Sequence, residues 1–394
     1  MYLSQDEERI YQGERGESLR RAMEILVALG DIFDAQKLIS IKSAQIAGVS
    51  FKNIGDAGLE WISDLEGKVM VPAILNPAGM DLFRWKEMKI DENFASKQKA
   101  TIDAYRRLGI TIDCTCTPYQ IYSDIARQGD HVAWSESSAV SYANSVIGAR
   151  TNREGGPSAL AASLIGKTPY FGYHLDLNRI PTHCIRVDAD LKDSDFGAIG
   201  YLAGRMVKDG VPQFRLRGRP TLDELKSLGA AMAASGSVAL YYVEGVTPMP
   251  PAAFGKIENS KLEKISLDRK QIDEVYEKYP GTDAEIVALG CPHCSRSELD
   301  GIAKLLDGKK VKKQLWVCTA RKIADANPEL VARIEKSGAK VICDTCMVVS
   351  PASEQYRKMM VNSGKALAYI PGLCGIKAGF GSTEECIKAA TGRD

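Results

Sequence analysis

Three short segments of this chain carry two cysteines each, and they lie far apart in the sequence. They are Cys114-Thr-Cys116, Cys291-Pro-His-Cys294 and Cys343-Asp-Thr-Cys346. Each lies at the end of an apolar run that predicts a strand, so the three could meet at the carboxyl ends of parallel strands. A cysteine there also faces the N-terminus of the next helix, whose unpaired amides stabilise the thiolate that binds metal. The sequence therefore predicts one metal site built from three loops.

Other interpretations of these cysteines stay open. Unpaired cysteine is often simply buried in the core. Four further cysteines are expected to be of this kind: Cys184, Cys318, Cys374 and Cys386. Cys291 and Cys294 alone could form a dithiol redox pair that opens a helix, although the other two segments then have no role. Zinc is less suitable, because Cys294 and Cys343 lie much further apart than the roughly 15–20 residues of a compact zinc ribbon.

Spacing does not settle which cysteine of each pair binds the metal. Position within the loop favours one member. Cys343 still belongs to its apolar strand, whereas Cys346 lies past the strand end. Cys116 lies deeper than Cys114 in a loop turned by proline, and Cys291 is the first cysteine beyond its strand. The other members are then expected to support the site or to pack in the core.

Three thiolates can hold a four-iron cluster and leave one iron without a protein ligand. That iron is a Lewis acid that can bind a hydroxyl group and stabilise it as it departs. Three thiolates suit a three-iron cluster equally well. Elimination of water also requires an anchor for the substrate carboxylate and a base for the carbon-bound proton.

Other predicted loops offer such parts, each with an ordinary alternative. Gly48-Val49-Ser50 has small residues that let an oxyanion approach backbone amides, but it is equally an ordinary turn. Asn76-Pro77 ends a strand, where the amide could bind a carboxylate, and Asn-Pro also opens turns. The polar run 134–145 and the glycine-rich loop 149–158, which contains two arginines, suit packing around an anion. Lys365, before a predicted strand 366–370, could supply an ammonium or be solvated.

The elements that must position these residues alternate between strands and helices, which predicts an α/β fold with mainly parallel sheets. The predicted strands are 38–41, 69–75, 110–113, 238–243, 285–289, 314–317 and 340–343. The predicted helices are 19–29, 57–65, 95–108, 195–207, 222–234, 262–279, 298–306 and 328–336. The proline-rich stretch 245–251 suggests a linker. We therefore predict an N-terminal α/β region, 1–255, with the substrate loops and the first cluster cysteine, and a C-terminal α/β subdomain, 256–394, with the other two.

Composition excludes several classes of function. Lysine and arginine number 51 against 50 aspartates and glutamates, so no overall charge favours nucleic acid or an anionic membrane. The acidic N-terminus lacks the order of a signal peptide, and no apolar run reaches the roughly 20 residues of a membrane span. We expect a cytoplasmic protein, in which ten reduced cysteines indicate metal or redox chemistry more often than disulfides.

Four motifs, in this order, make the sequence resemble the aconitase X family along essentially the whole chain. They are Cys-Thr-Pro-Tyr at 116–119, the segment 135–158 with its Asn-Arg-Glu-Gly-Gly-Pro core, Gly-Cys-Pro-His at 290–293 and Asp-Thr-Cys at 344–346. The resemblance implies the catalytic core of aconitases, in which several α/β subdomains surround an iron–sulfur cluster, expected here as [4Fe-4S]. A separate swivelling domain closes the site.

The resemblance also implies the roles of particular residues. The cluster ligands would be Cys116, Cys291 and Cys346, one from each loop, unlike classical aconitases, in which two ligands share one Cys-x2-Cys. The implied substrate contacts are Gly48, Val49, Ser50, Asn76, Pro77, Glu136, Ser137 and Lys365. Among these contacts, Glu136, Ser137 and Lys365 are the candidate catalytic residues.

No stretch of the sequence is long enough for a fused swivelling domain, so we expect the split form of the family, in which a small subunit supplies that domain. Members of that form dehydrate (R)-5-phosphomevalonate to trans-anhydromevalonate 5-phosphate in a modified mevalonate pathway. A serine of the small subunit is expected to remove the proton, so the isolated chain should be inactive. The alternatives are a cis-3-hydroxy-L-proline dehydratase, as in fused members, and, more remotely, the dithiol oxidoreductase. A non-catalytic scaffold is disfavoured because so many polar motifs fall at strand ends.

Overall fold

The apolar runs of the sequence form short strands that helices cover, in a computed structural model that describes residues 1–249 and 262–392. The predicted α/β fold with mainly parallel sheets is confirmed. No helix among the described residues is long and apolar enough to cross a membrane. The predicted division near residue 255 falls outside the described residues and stays a prediction.

The first part of the chain, up to residue 169, contains two small sheets. Its helices are α1 (Gln5–Tyr11), α2 (Glu17–Ile32), α3 (Phe51–Ser63), α4 (Glu92–Arg107), α5 (Ser137–Tyr142) and α6 (Gly156–Ile165). Its strands are β1 (Leu38–Ser40), β2 (Ala44–Ile46), β3 (Ala73–Leu75), β4 (Ala133–Trp134) and β5 (Lys167–Pro169). A parallel sheet has the order β3-β2-β4, and β1 pairs with β5 in antiparallel register.

A parallel four-stranded sheet with the order β8-β7-β6-β9 follows. Its strands are β6 (His183–Asp188), β7 (Pro212–Arg215), β8 (Tyr242–Val243) and β9 (Glu263–Asp268), and its helices are α7 (Asp195–Val207), α8 (Leu222–Gly236) and α9 (Arg269–Lys278). Strands from both sides of the undescribed residues 250–261 thus join one sheet. One apolar core is continuous between this sheet and the last one.

The last part forms a parallel five-stranded sheet with the order β12-β11-β10-β13-β14. Its strands are β10 (Ile286–Cys294), β11 (Gln314–Thr319), β12 (Lys340–Cys343), β13 (Lys358–Val361) and β14 (Lys377–Phe380). Its helices are α10 (Arg296–Leu305), α11 (Arg321–Asp325), α12 (Pro328–Lys336), α13 (Gly364–Leu373) and α14 (Thr383–Thr391). The chain winds from β10 outward to β12 and then returns to the other side of β10. The topological switch point, where open α/β sheets bind ligands, therefore lies between β10 and β13.

Several sequence predictions differ from the structure. Cys291 does not lie beyond its strand, because β10 continues to Cys294, and the predicted strand 238–243 is a strand only at Tyr242–Val243. The predicted strand 366–370 is helical and belongs to α13, because the Ser363 hydroxyl accepts a hydrogen bond from the amide of Ala366 and starts a helix. The predicted helix 262–279 begins as β9, since Asp268 caps the helix only from residue 269 onward. The predicted strand 110–113 makes only a single bridge, between Thr111 and Ile74.

Candidate active site

The switch point brings a cysteine and a lysine together. Cys291 lies in the last part of β10, and Lys365 lies in the first turn of α13, directly after β13. The Ser363 hydroxyl donates a hydrogen bond to the carbonyl oxygen of Cys291 and so joins the two loops. Both side chains are buried, with Cys291 3% and Lys365 5% exposed. A buried ammonium next to a thiol favours the thiolate form.

His293, near the end of β10, contacts both of the other cysteine loops, which carry Cys116 and Cys346. The backbone amide of His293 donates a hydrogen bond to Sγ of Cys116 over 3.2 Å. The imidazole contacts Oγ1 of Thr115 through Nδ1 and the carbonyl oxygen of Thr345 through Nε2, each at 3.0 Å. Three loops that the sequence separates are therefore joined at one fully buried residue.

The thiols of Cys116, Cys291 and Cys346 share one electrostatic environment. A hydrogen bond from the Cys291 thiol lowers the pKa of Cys346 to about 7, and the same bond, with burial, raises the pKa of Cys291. Burial raises the pKa of Cys116 to about 12, although the Lys365 ammonium opposes this rise. The ammonium lowers the pKa of all three thiols. The charge of Lys365 therefore contributes to the electrostatic environment of all three thiols.

The other cysteine of each pair lies among different charges. Burial raises the pKa of Cys114, Cys294 and Cys343. The charge of Asp344 further raises the pKa of Cys114, and that of Glu298 raises the pKa of Cys294, whereas Arg321 acts to lower the pKa of Cys343. The structure thus separates the members of each pair, with the three predicted ligands near Lys365. This grouping is the one expected if Cys116, Cys291 and Cys346 bind a common group.

Glu136 is the partner of Lys365 and the centre of a polar network. The Lys365 ammonium donates to Oε1 of Glu136 and, over 3.0 Å, to the hydroxyl of Ser138. The Asn76 amide donates to Oε2 of Glu136 over 2.6 Å, and the Ser137 hydroxyl donates to Oε1 over 3.1 Å. Burial alone would raise the pKa of Glu136, but the Lys365 charge and these donors lower it to about 2. Glu136 therefore remains a carboxylate at any physiological pH.

The turn at residues 48–50 reaches the edge of this region. Ser50 precedes α3, and its hydroxyl donates to the carbonyl oxygen of Val349 over 3.0 Å, three residues beyond Cys346. Gly48 has a φ of 75°, which favours glycine. A Cβ placed on Gly79 would lie 2.6 Å from the Ser50 hydroxyl. The turn thus packs against both the loop that follows β3 and the segment that follows Cys346.

The loop that follows β3 is anchored directly to the third cysteine loop. Asn76 faces Glu136, and Pro77 lies between Asn76 and Ala78, whose amide donates to the carbonyl oxygen of Asp344 over 2.7 Å. Asn76 Oδ1 is buried and, within the described residues, has no hydrogen-bond partner. A buried acceptor of this kind is available for a ligand hydroxyl or amide.

The two arginines of the loop 149–158 have different roles. Arg150 pairs with Asp176 and donates to the carbonyl oxygen of His174. These contacts stabilise a part of the fold that does not include the cysteine loops. Arg153 donates to the phenol of Tyr369 over 3.0 Å, and Tyr369 in turn donates to the Ser137 hydroxyl over 3.1 Å. Only Arg153 therefore connects to the Glu136 network.

Sequence reasoning missed several residues that build the site. Ser138 and Tyr369 belong to the Glu136 network, yet a serine beside a helix start and a tyrosine on an amphipathic helix give no specific signal. Arg321 was also missed. Its guanidinium binds Asp344 over 2.6 Å and Asp81 over 2.7 Å, while Asp344 adopts a φ of 62° at the start of the loop of Cys346. His293 could have been found, because it lies inside the Cys-Pro-His-Cys motif.

The arrangement of Cys116, Cys291 and Cys346 suits one kind of metal group better than another. Across residues 1–249 and 262–392, no three His, Cys, Asp or Glu side chains lie close enough to share one metal ion. That arrangement does not suit a single zinc ion. Three buried thiols from three loops, with a neighbouring cation and an amide donor to Cys116, suit a larger group in which each thiolate binds a different iron.

The fold and the site define a class. Parallel α/β units that enclose buried thiols, an ammonium and a carboxylate at a sheet switch point form an aconitase-like catalytic core. Sequence models of the aconitase X first, second and third domains match residues 1–177, 181–277 and 284–392. The chain therefore belongs to the aconitase X family.

Known relatives agree with this assignment. The phosphomevalonate dehydratase large subunit of Methanosarcina mazei is 60% identical over 392 residues, which cover 100% of this chain and 98% of the relative. The crystal structure of Thermococcus kodakaraensis aconitase X in its holo-form superposes with a TM-score of 0.90 at 44% identity, covering 99% of this chain and 100% of that chain. A cis-3-hydroxy-L-proline dehydratase of Pseudomonas aeruginosa is 34% identical, and the match covers 96% of this chain but 68% of the relative.

Proposed function

We propose that this chain is the large subunit of a hydro-lyase that removes water from (R)-5-phosphomevalonate and forms trans-anhydromevalonate 5-phosphate for isoprenoid biosynthesis. The observation that carries the proposal is the 60% identity over full length to a phosphomevalonate dehydratase large subunit. The cis-3-hydroxy-L-proline alternative has weaker support, at 34% identity to a relative of which the match covers only 68%.

Cys116, Cys291 and Cys346 would hold an iron–sulfur cluster, which we propose to be [4Fe-4S]. When bound, such a cluster supplies a Lewis acid that stabilises the departing hydroxyl group. Their thiols are buried and lie near the Lys365 ammonium, which favours their deprotonated form. The amide of His293 would continue to donate to the Cys116 sulfur.

Glu136 orients and anchors the cation and does not move protons. Its pKa, lowered to about 2, makes it a very weak base, and four donors already occupy its two oxygens. Lys365 can turn its remaining N–H toward a substrate oxygen while it keeps Glu136 as counter-ion. Ser137, between Glu136 and Tyr369, can exchange one of its hydrogen bonds for a substrate oxygen.

The substrate carries a carboxylate and a phosphate, so the site needs cationic or amide partners for both. The charge of Lys365 is already balanced by Glu136. Arg153 bonds a phenol and a carbonyl and, within the described residues, makes no ion pair. The turn at 48–50 presents backbone amides at the start of α3. We propose that Gly48, Val49, Ser50, Asn76 and Pro77 contact the substrate, with Arg153 as a further cation.

We also propose that a small swivelling-domain subunit completes the enzyme in the cytoplasm. The relatives' designation as large subunits supports a partner of this kind. The described network of Lys365, Glu136 and Ser137 contains an ionised carboxylate and a lysine whose pKa is raised by Glu136 despite burial, and neither is a good proton acceptor. The base that takes the carbon-bound proton would then come from the partner.

The proposal is tested by co-expressing the chain with the proposed small subunit, followed by anaerobic cluster reconstitution. The complex is assayed with 5-phosphomevalonate, unphosphorylated mevalonate and cis-3-hydroxy-L-proline, and the large chain alone serves as control. We expect turnover only by the complex, and only with 5-phosphomevalonate. Turnover of hydroxyproline instead would overturn the substrate. Dehydration by the large chain alone would overturn the role of the partner.

A further inference from the structure

His293 makes contacts that the proposed chemistry does not use. The side chain is fully buried, and both nitrogens of its ring contact a hydrogen-bond partner. It lies between Thr115, on the loop of Cys116, and Thr345, on the loop of Cys346. Both threonines are at most 1% exposed. The ring therefore connects two cysteine loops where water does not compete.

The partners of the ring determine its tautomer. The carbonyl oxygen of Thr345 can only accept, so Nε2 must carry the hydrogen. Nδ1 contacts the Thr115 hydroxyl, which can donate to it. Thr115 Oγ1 also accepts from the amide of Thr117 over 3.1 Å and lies 3.2 Å from the Thr117 hydroxyl. Each ring nitrogen therefore has a hydrogen-bond partner on a different cysteine loop.

Two backbone contacts also connect these loops, but only indirectly, through the end of β3. Ala78 links the loop that follows β3 to the third cysteine loop, and Thr115 bonds the carbonyl oxygen of Leu75. These bonds connect each cysteine loop to the end of β3. The imidazole is a direct bridge between the two loops, and its ring is rigid, unlike a chain of separate bonds. Loss of this ring would leave a buried carbonyl and a buried hydroxyl without their partner.

We propose that His293 is a positioning residue, whose imidazole bridges Thr115 and Thr345 and so sets the separation of Cys116 and Cys346 before a cluster is bound. This inference rests on the proposed iron–sulfur cluster and adds the residue that prepares its ligands. Residues that orient metal ligands through hydrogen bonds typically contribute about 10- to 100-fold in metal affinity. His293 acts on two ligand loops through its side chain and on the sulfur of Cys116 through its amide.

The test compares His293→Ala and His293→Gln with the unchanged chain, all reconstituted anaerobically in complex with the small subunit. A glutamine amide reaches the position of Nε2 and can donate to Thr345, whereas alanine makes neither bond. Iron and sulfide per chain, the visible absorption and the electron paramagnetic resonance spectrum of the reduced protein are measured. We expect about tenfold weaker cluster retention against a chelator in His293→Ala and partial recovery in His293→Gln.

Two further variants separate positioning from general loss of packing. His174→Ala removes another fully buried histidine, one that contacts His131 instead of the cysteine loops, and should retain the cluster at a comparable loss of thermal stability. Thr115→Val keeps the side-chain shape and the imidazole, and it removes the hydroxyl with its contacts to Nδ1 and to Thr117, so it stays informative if His293→Ala does not fold. It should weaken retention and shift the resonance spectrum.

The outcomes distinguish this inference from the proposed function. If His293→Ala and Thr115→Val retain the cluster as well as the unchanged chain, with the same spectrum, His293 does not position the ligands, although the hydro-lyase proposal stands. Equal loss of cluster in His174→Ala would also overturn the inference. An unchanged chain that takes up no iron and sulfide would overturn the cluster itself, and the bridge would then have no ligands to position.

Discussion

Two buried lysines lie beside the loop that follows residue 289, and each pairs with a glutamate. Lys365 pairs with Glu136 near Cys291. Lys226 pairs with Glu298, lies 3.1 Å from Asp223 and also lies 3.3 Å from the carbonyl oxygen of His293. The pairs look alike in composition, and both lysines are buried, yet the pKa values of the two glutamates shift in opposite directions.

The difference comes from the neighbours of each pair. Burial and the nearby Asp223 raise the pKa of Glu298, even though Lys226 opposes the rise. The pKa of Glu136 is instead lowered to about 2, because Lys365, Asn76 and Ser138 donate to it. The charge of Lys226 is balanced by Asp223 and Glu298, and the pair with Glu298 joins α8 to α10. The charge of Lys365 acts on three thiols as well as on Glu136. These thiols, and not the ion pair itself, indicate that the surroundings of Lys365 form a functional site.

The strongest test of this comparison uses the two cysteines of one loop. Cys291→Ser should remove the cluster and all dehydratase activity, because one of the three proposed cluster ligands is lost. Cys294→Ser, beside the Lys226 centre, should keep both. Iron, sulfide and turnover of 5-phosphomevalonate are measured in the complex. The opposite result, with activity lost in Cys294→Ser and iron never bound, would favour a dithiol oxidoreductase.

The second test removes each ammonium. Lys365→Met should lower kcat about 10²- to 10³-fold, the usual effect of losing an electrostatic group at a reacting centre. Lys226→Met should lower the free energy of unfolding by about 1–3 kcal/mol, because it leaves two partly exposed carboxylates, Glu298 and Asp223, without their counter-ion. Its turnover per folded, cluster-loaded complex should stay unchanged. Denaturant unfolding and initial rates give the two quantities.

Double variants serve as the controls for both lysines. Glu298→Gln added to Lys226→Met should recover part of the lost stability, since Asp223, at 25% exposure, is then the one carboxylate of the pair that still lacks its counter-ion. Glu136→Gln added to Lys365→Met should recover stability in the same way, yet it should not recover kcat. If activity returned together with stability in the second pair, Lys365 would be structural, like Lys226.

A third prediction concerns Arg153, which reaches the Lys365 centre only through Tyr369 and Ser137. Arg153→Gln should raise the KM for 5-phosphomevalonate about 10-fold or more, because a charge-assisted contact to an anion is lost, while kcat changes little. Arg150→Gln is the matched control, since that arginine pairs with Asp176. An unchanged KM in Arg153→Gln would remove this residue from the substrate contacts.

The smallest effect is expected at a buried polar pair that carries no compensating charge. His131 and His174 contact through their Nδ1 atoms at 2.9 Å, and burial, together with His131 and Arg179, lowers the pKa of His174 to about 3. Below pH 6.5 the unfolded chain therefore binds a proton that the folded chain does not. Stability should fall as the pH drops from 6.5 towards 4, by on the order of 1–3 kcal/mol.

The contribution of this pair can be isolated with His174→Gln. Its free energy of unfolding should depend less steeply on pH between 6.5 and 4 than that of the unchanged chain, and denaturant titrations at each pH measure both. Equal slopes for the two chains would show that His174 gains its proton in the folded state as readily as in the unfolded state.

The sequence contained enough to predict the α/β fold and the loops of the site, because strand-end cysteines follow from periodicity and local motifs. The helix 195–207 and the strand 340–343 were predicted with their observed bounds. Short strands such as β4, with two residues, were missed, since pairing with β2 stabilises them and local pattern does not. The apolar run 366–370 predicted a strand, and this prediction was wrong because the Ser363 cap starts a helix there.

The site was harder to predict than the fold. Which residues approach one another depends on contacts between distant segments, such as Arg321 with Asp81, and no local pattern encodes these. The ligand choice among the cysteine pairs, and every proposed substrate contact, stays a prediction until the variants above are measured. The grouping of three thiols near Lys365 gives that prediction a physical basis.

The bond between Glu136 and Lys365 joins residues that are 229 positions apart. At the usual rates of protein synthesis, about 5–20 residues per second, Glu136 is made about 10 to 50 s before its counter-ion. During that time the carboxylate cannot be buried without protonation. We therefore expect the first part of the chain to bury this glutamate as a carboxylate only after the segment that carries Lys365 has been translated.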